Sequence, residues 1–277
     1  MASAALKLHE QKIQAKPFLK WAGGKGAILE SIFDCFPQRF KGYHEPFVGG
    51  GAVFFGLQPK KAVLSDINAE LINVYKTIRD DVDGLIRQLR RYKISEDDFY
   101  KVRARDPKRL SVVGSAARTV YLNRTCFNGL YRVNKKGKFN APYGRYANPK
   151  VCNEENLRAC SAALQDVEIL HQNALEVTQR VSKGDLVYFD PPYDPISSTA
   201  SFTSYTAQGF GRAEQEALAE VFATLARKKV HVVLSNSNTP FIRKLYKGFK
   251  IKEVFVRRAI NSRADRRGPV SEVLVYA

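Results

Sequence analysis

Asp190-Pro191-Pro192-Tyr193 directly follows the apolar run Leu186-Val187-Tyr188-Phe189. Two consecutive prolines fix φ and bring no N–H groups, so the chain leaves that run rigid and extended. The Asp190 carboxylate and the Pro191 carbonyl then form a fixed pair of acceptors at the carboxyl end of a sheet. An exocyclic amino group such as that of adenine is a poor nucleophile, because its lone pair is delocalised into the ring. Two acceptors taking both of its N–H bonds would draw the nitrogen toward tetrahedral geometry. The lone pair would then face a sulfonium methyl for in-line transfer, a matter of positioning and electrostatics. Tyr193 is placed to stack on a flat base. An ordinary proline-rich turn is the bland alternative for Asp-Pro-Pro alone; the full tetrapeptide after an apolar strand favours chemistry.

Two further segments could hold a cofactor. Glu45-Pro46-Phe47-Val48-Gly49-Gly50-Gly51 is a glycine turn after a short apolar run, where a ligand can lie against backbone near helix N–H groups. It does not complete a dinucleotide fingerprint, because Phe54 occupies the third glycine position. Asp66, at the end of the next apolar run, is placed to accept from both hydroxyls of an adenosine ribose; helix capping is its bland alternative. Phe18-Leu19-Lys20-Trp21-Ala22-Gly23-Gly24-Lys25 contains the only tryptophan. It is not a phosphate loop, since the upstream glycine is absent and Gly26 follows Lys25. An aromatic and a lysine beside a glycine turn could cover the methionine end of a cofactor, although a structural turn is the default for the segment alone.

Positioning these groups requires a sheet. Tyr43–Val48 and Ala62–Ser65 read as short strands, with Asn68 as N-cap of a helix carrying Leu71, Ile72, Tyr75 and Ile78. Another helical run starts near Lys25 and stops at Pro37, and residues 1–16 read as a loosely held tail. Helical pieces follow at Val82–Tyr92, Glu96–Arg105 and Ala116–Asn123, then an irregular stretch to residue 150. After a helix near 154–164, the α/β rhythm resumes with Val167–His171, Leu186–Phe189, a helix over 212–227 and Val230–Leu234. Ile251–Arg257 and Val270–Tyr276 close the chain, and a Ser/Thr-rich loop spans 195–206. The pattern predicts an α/β, doubly wound, Rossmann-like sheet interrupted by a basic insertion.

The chain has 277 residues and a formal charge of +18. Residues 79–150 hold 18 Lys or Arg against 7 Asp or Glu, so most of the surplus sits in the insertion. Such a surplus on a globular composition points to a polyanion, either nucleic acid or an anionic membrane surface. No apolar run approaches the roughly 20 residues of a membrane helix, and no signal-peptide stretch is present. We therefore expect a cytoplasmic protein acting on nucleic acid. Cys35, Cys126, Cys152 and Cys160 form no C-x-x-C pair and the four histidines are scattered. Neither a metal nor a disulfide is expected.

Together these segments, in this order, resemble the DNA adenine methyltransferase (Dam) family of bacteria and phages, from about Pro17 to the C-terminus. The resemblance implies transfer of a methyl group from S-adenosylmethionine to N6 of a flipped adenine in double-stranded DNA, at GATC. It implies a catalytic and cofactor-binding domain over 1–70 and 160–277. A mainly helical target-recognition domain with a β-hairpin would be inserted at 71–159. Asp190, Pro191, Pro192 and Tyr193 would be catalytic. Trp21, Lys25, Phe47, Gly49, Asp66, Ile67 and Asp190 would contact the cofactor, with Asn173 where many methyltransferases place an Asp for its adenine. Leu122 to Arg132 resembles the recognition hairpin. Arg132 would read a guanine, Leu130 would pack on a thymine methyl, Phe127 would wedge between base pairs, and Asn128 would be a neighbouring contact. Lys20 would touch the first base of the site, and Pro142, Arg145 and Tyr146 the DNA of the recognition half-site. A monomer in solution is expected.

An N4-cytosine methyltransferase could use the same tetrapeptide. A glutamine or protein methyltransferase typically has Asn in place of Asp190. A catalytically silent DNA-binding module would be expected to lack Asp190, Tyr193 or Asp66.

Overall fold

A computed structural model describes residues 13–21, 23–195, 210–257 and 269–277. Seven strands form one sheet among these residues: β1 Tyr43–Glu45, β2 Ala62–Asp66, β3 Val167–His171, β4 Leu186–Phe189, β5 His231–Ser237, β6 Lys250–Arg257 and β7 Pro269–Tyr276. Their order is β3-β2-β1-β4-β5-β7-β6. The pairs from β3 to β5 are parallel, whereas β7 is antiparallel to both β5 and β6. The α/β fold with a doubly wound sheet is the one expected.

Why β4 reads as an unbroken apolar run is now clear. Successive side chains point to opposite faces, and both faces are covered. Leu186 and Tyr188 join a core with Tyr43, Leu64 and the helix α3 (Ala69–Asp80). Val187 and Phe189 join a second core with Leu218, Phe222 and Leu225 of α8 (Arg212–Arg227). Chain order reverses between β1 and β4, which opens a crevice at the carboxyl ends of the strands.

The remaining helices are α1 (Leu29–Phe33), α2 (Ala52–Leu57), α4 (Val82–Arg90), α5 (Glu96–Ala104), α6 (Val112–Thr125), α7 (Glu154–Ala163) and α9 (Pro240–Leu245). Asn68 caps α3 by accepting from the Leu71 N–H at 3.1 Å, as the sequence predicts. Helices α4 and α5 each pack on α6, and α4 and α6 also pack on α3. Arg118, buried on α6, fastens this layer by pairing with Glu70 of α3 at 3.4 Å and donating to the Val102 and Arg103 carbonyls of α5. The expected domain limits at 70/71 and 159/160 fall inside α3 and α7.

Three expectations need correction. β1 stops at Glu45 rather than Val48, since Pro46 brings no N–H to a ladder. Helix α6 runs on through Thr125, so Leu122–Thr125 belong to a helix and not to a hairpin. The supposed tail is pinned at its end: Ala15 is buried, and Lys16 exchanges two 2.9 Å hydrogen bonds with the Asn156 side chain. Residues 1–12 of that tail, and the Ser/Thr-rich loop beyond Pro195, lie outside the described residues.

Candidate active site

The crevice gathers the three separated sequence signals. Asp190 leaves β4 and forms an ion pair of 2.8 Å between its Oδ2 and Lys25 Nζ. Lys25 is buried, donates to the Gly23 carbonyl, and lies 4.9 Å from the centre of the Tyr193 ring, a cation–π distance. Burial pushes the Asp190 pKa up, and the charge of Lys25 opposes that rise. The Tyr193 hydroxyl donates to Glu272 Oε2 at 2.9 Å, so the ring is held from β7. Pro191 is buried while Pro192 and Tyr193 are half-buried.

Behind β1 lies the glycine turn. Gly49 and Gly51 have φ of +47° and +70°, the left-handed region that side chains rarely adopt. A Cβ at Gly51 would meet the Tyr75 hydroxyl at 2.5 Å, and one at Gly49 would meet Trp21 Cδ1 at 2.8 Å. Tyr75 also donates to the Gly49 carbonyl at 3.0 Å, bracing the turn from beneath. Above it, Trp21 stacks on Tyr131 with ring centres 5.4 Å apart.

Asp66, at the end of β2, accepts from the Gly49 N–H at 3.2 Å and the Asn68 N–H at 2.9 Å. It does not cap the following helix, because Asn68 does. Each carboxylate oxygen keeps a second lone pair, so the group can still accept from two hydroxyls. Burial raises its pKa to about 6, against the lowering effect of the Asn68 and Gly49 amides. A raised carboxyl pKa means that ionised Asp66 costs the fold stability as pH climbs from about 4 through 6. Donors from a ligand would offset that cost. Ile67, next in sequence, is 50% exposed, an apolar surface beside the acid.

Two of the expected cofactor positions already make contacts within the protein. Phe47 packs edge-on against Phe189 and Phe210 at 6.4 and 5.6 Å, forming the wall between β1 and β4. Asn173 Oδ1 already accepts from the Leu175 N–H at 3.0 Å, so its remaining capacity is chiefly the amide N–H₂.

The expected recognition residues lie on a sparsely paired hairpin that starts after α6. Bridges join Cys126 to Tyr143 and Val133 to Phe139, and the turn closes at Asn134–Lys138. Phe127 is 51% exposed, while Asn128 adopts a left-handed φ of +55° and Leu130 is half-buried. Arg132 is exposed; its Nε and Nη2 donate to the side chain and backbone oxygens of Asn140 at 2.8 and 3.2 Å. Pro142 is exposed and its carbonyl accepts from the Phe127 N–H at 2.9 Å. Arg145 pairs with Glu96 at 3.6 Å.

Lys20 joins the hairpin to the crevice. Its ammonium sits 4.1 Å from the Tyr146 ring centre, and its backbone is clamped by the wholly buried Asn123. The Asn123 side chain accepts from the Lys20 N–H at 2.8 Å and donates to the Lys20 and Gly129 carbonyls at 2.7 and 3.1 Å. Gly129 must be glycine here, since a Cβ would lie 2.3 Å from that of Lys20. Asn123, Tyr75 and Glu272 thus support the site, and sequence reasoning did not single them out for it.

Among the described residues, no group of three or more His, Cys, Asp or Glu is placed to hold a metal. All four cysteines are free. No described helix is long and apolar enough to cross a membrane.

The chain is 41% identical to a type II methyltransferase of Lactococcus lactis subsp. cremoris over 276 residues, which cover 97% of each chain. It is 44% identical to a type II methyltransferase of Methanocaldococcus jannaschii, over 92% of this chain and 96% of the relative. A DNA adenine methylase of Haemophilus influenzae shares 34% identity over 95% and 94% of the two chains. A family model of D12 class N6 adenine-specific DNA methyltransferases matches residues 21–260, and this chain belongs to that family.

Proposed function

We propose that the protein transfers a methyl group from S-adenosylmethionine to N6 of an adenine flipped out of duplex DNA, within GATC. The observation that carries the reading is the meeting of Asp190, Tyr193, Lys25 and the Asp66–glycine turn in one crevice. The cofactor would lie with its ribose on Asp66, its adenine beside Ile67, Phe47 and Asn173, and its methionine end under Trp21 and Lys25. Its sulfonium supplies the methyl. On this chain's side, Lys25 fixes the Asp190 carboxylate through Oδ2, and Oδ1 accepts from the adenine amine together with the Pro191 carbonyl. Tyr193, anchored by Glu272, stacks on the base and excludes water. Aligned acceptors and an excluded solvent are the main sources of rate here.

Target reading is assigned to the inserted unit, residues 71–159, with Lys20 reaching in from the catalytic unit. Phe127 would occupy the gap left by the flipped base, which offsets part of the unstacking cost. Arg132, Leu130 and Asn128 would face base edges, with Pro142, Arg145 and Tyr146 beside them. The protein would act as a monomer in the cytoplasm.

Single-molecule sequencing of plasmid DNA treated with protein and S-adenosylmethionine tests the target. Adenine methylation is expected at GATC alone; a different motif would overturn the assigned target while leaving the chemistry intact.

Cofactor affinity should depend on pH through Asp66. Only the ionised group accepts from both hydroxyls, so with a pKa of about 6 the dissociation constant should rise about tenfold between pH 7 and pH 5. Titration calorimetry with S-adenosylmethionine should show this, and Asp66→Asn should give a weak, pH-flat response. The same pH slope in Asp66→Asn would place the titrating group elsewhere.

Salt dependence reports the hairpin tip. Lys135, Lys136 and Lys138 are exposed and have no ion pair among the described residues. Each phosphate contact contributes about −0.9 to the slope of log affinity against log salt. Changing all three to Gln should flatten that slope by roughly 2 to 3; an unchanged slope would remove the tip from the DNA interface.

A further inference from the structure

Behind the Asp-Pro-Pro-Tyr turn lies a buried polar chain that no part of the methyl-transfer reading uses. Gln215, on the first turns of α8, is 1% exposed, and its Nε2 donates to the Pro192 carbonyl at 2.8 Å. Its Oε1 accepts from Asn236 Nδ2 on β5 at 3.0 Å. Asn236, 0% exposed, directs its own oxygen at the N–H groups of Asp194 and Ser237, at 3.2 and 2.8 Å. Ser237 Oγ donates to the Asp194 carbonyl, and Thr239 Oγ1 to Asp194 Oδ2, both at 2.8 Å.

The chain has a mechanical consequence. Proline rings fix φ at Pro191 and Pro192, so ψ is the freedom left in the turn. A hydrogen bond to the Pro192 carbonyl fixes the peptide plane that joins it to Tyr193, and the bonds to both backbone groups of Asp194 fix the far side of Tyr193. The Pro191 carbonyl and the Asp190 carboxylate are then aimed by a scaffold anchored on α8 and β5. Buried amides are costly unless every donor and acceptor is matched, and here Asn236 holds the Gln215 amide in the one orientation that presents its N–H₂ to Pro192. We propose that Gln215, oriented by Asn236, is a positioning residue for methyl transfer: it sets the direction of the catalytic acceptors without touching either substrate. The inference rests on the reading of Asp190–Tyr193 as the catalytic turn.

Its test uses the full chain and single-turnover methylation of a duplex that the wild type methylates, with both substrates saturating. Gln215→Met keeps the volume and removes the donor. Misplacing reacting groups by about 1 Å can cost about 10²-fold, so the single-turnover rate should fall on the order of 10- to 10²-fold, with DNA and cofactor dissociation constants within about twofold of wild type. Gln215→Glu adds a readout that a purely structural role would not move. A protonated carboxyl can donate to Pro192 while accepting from Asn236, whereas the ionised group cannot donate. The charged neighbours of that position are Asp194 on the turn and Arg212 and Glu214 on α8, with Glu272 on β7 beyond Tyr193. Gln215→Glu should therefore exceed Gln215→Met, with an advantage over it that grows from pH 9 to pH 6. A Gln215→Met rate within about twofold of wild type overturns the proposal, as does Gln215→Glu no better than Gln215→Met at pH 6. Unimpaired turnover by Asp190→Ala, run in parallel, would instead overturn the reading of the turn itself. Should Gln215→Met not fold, the Gln215→Glu profile against wild type decides alone: a constant ratio over that pH range overturns the proposal.

Discussion

Asp190→Ala is expected to lower the methyl-transfer rate constant by at least ~10²–10³, the usual cost of deleting one preorganised electrostatic contact at a reacting centre. In the proposed mechanism Asp190 is one of two acceptors for the amine, and among the described residues it is the ion-pair partner of Lys25. That second role predicts a side effect. Lys25 is almost wholly buried, and an unpaired buried charge is destabilising, so the variant should also melt at a lower temperature. Lys25→Met combined with Asp190→Ala removes both charges and should recover much of the melting temperature but none of the activity. Stability and turnover would then separate, which a simple folding defect could not produce. Near-normal single-turnover rates in a folded Asp190→Ala protein would contradict the mechanism.

Arg132→Ala is expected to erase discrimination at one base pair. An Arg fork donating to both guanine acceptors is worth ~1–3 kcal/mol against a wrong base, or roughly 5- to 150-fold in relative rate. In the structure, Arg132 is held by hydrogen bonds from Nε and Nη2 to Asn140, which leave Nη1 and the second Nη2 hydrogen uncommitted to that residue. Asn140→Ala should therefore weaken discrimination at the same base pair by a smaller factor. Arg132→Lys should not rescue it, since a lysine has no fork. The measurement compares rates on GATC and on each single-base variant. An Arg132→Ala protein that is slower on all duplexes by one common factor would make Arg132 a phosphate contact.

How legible the site was depended on how local its signals are. Asp190-Pro191-Pro192-Tyr193 announces itself because rigidity, acceptors and a stacking ring are adjacent in sequence. The glycine turn and Asp66 are readable for the same reason, each next to its own strand. The Asn68 cap and the two-faced burial of β4 follow from residue type and pattern. What escaped is long-range. Glu272 reaches Tyr193 across 79 residues, Asn123 clamps Lys20 across 103, and Tyr75 braces Gly49 across 26. None carries a local pattern that marks it, and Tyr75 reads only as one apolar position of an amphipathic helix. The antiparallel insertion of β7 between β5 and β6 escaped similarly, since two apolar segments at a chain end do not encode their order. The recognition hairpin was misplaced at its start because Leu122 and Thr125, both buried, continue the packing of α6. Asp66 showed the reverse case. Its position after a strand suggested capping as a rival use, and the neighbouring Asn68 takes that use instead.

The central claim is methyl transfer from S-adenosylmethionine to N6 of adenine in duplex DNA. The most direct measurement is mass spectrometry of nucleosides released from unmethylated plasmid after incubation with the protein and S-adenosylmethionine carrying a heavy methyl group. The account predicts N6-methyl-2′-deoxyadenosine bearing the heavy label, formed at least ~10²–10³ more slowly when Asp190→Ala replaces the wild type. Label on N4 of cytosine, or no labelled nucleoside from a folded protein that binds the DNA, would contradict it.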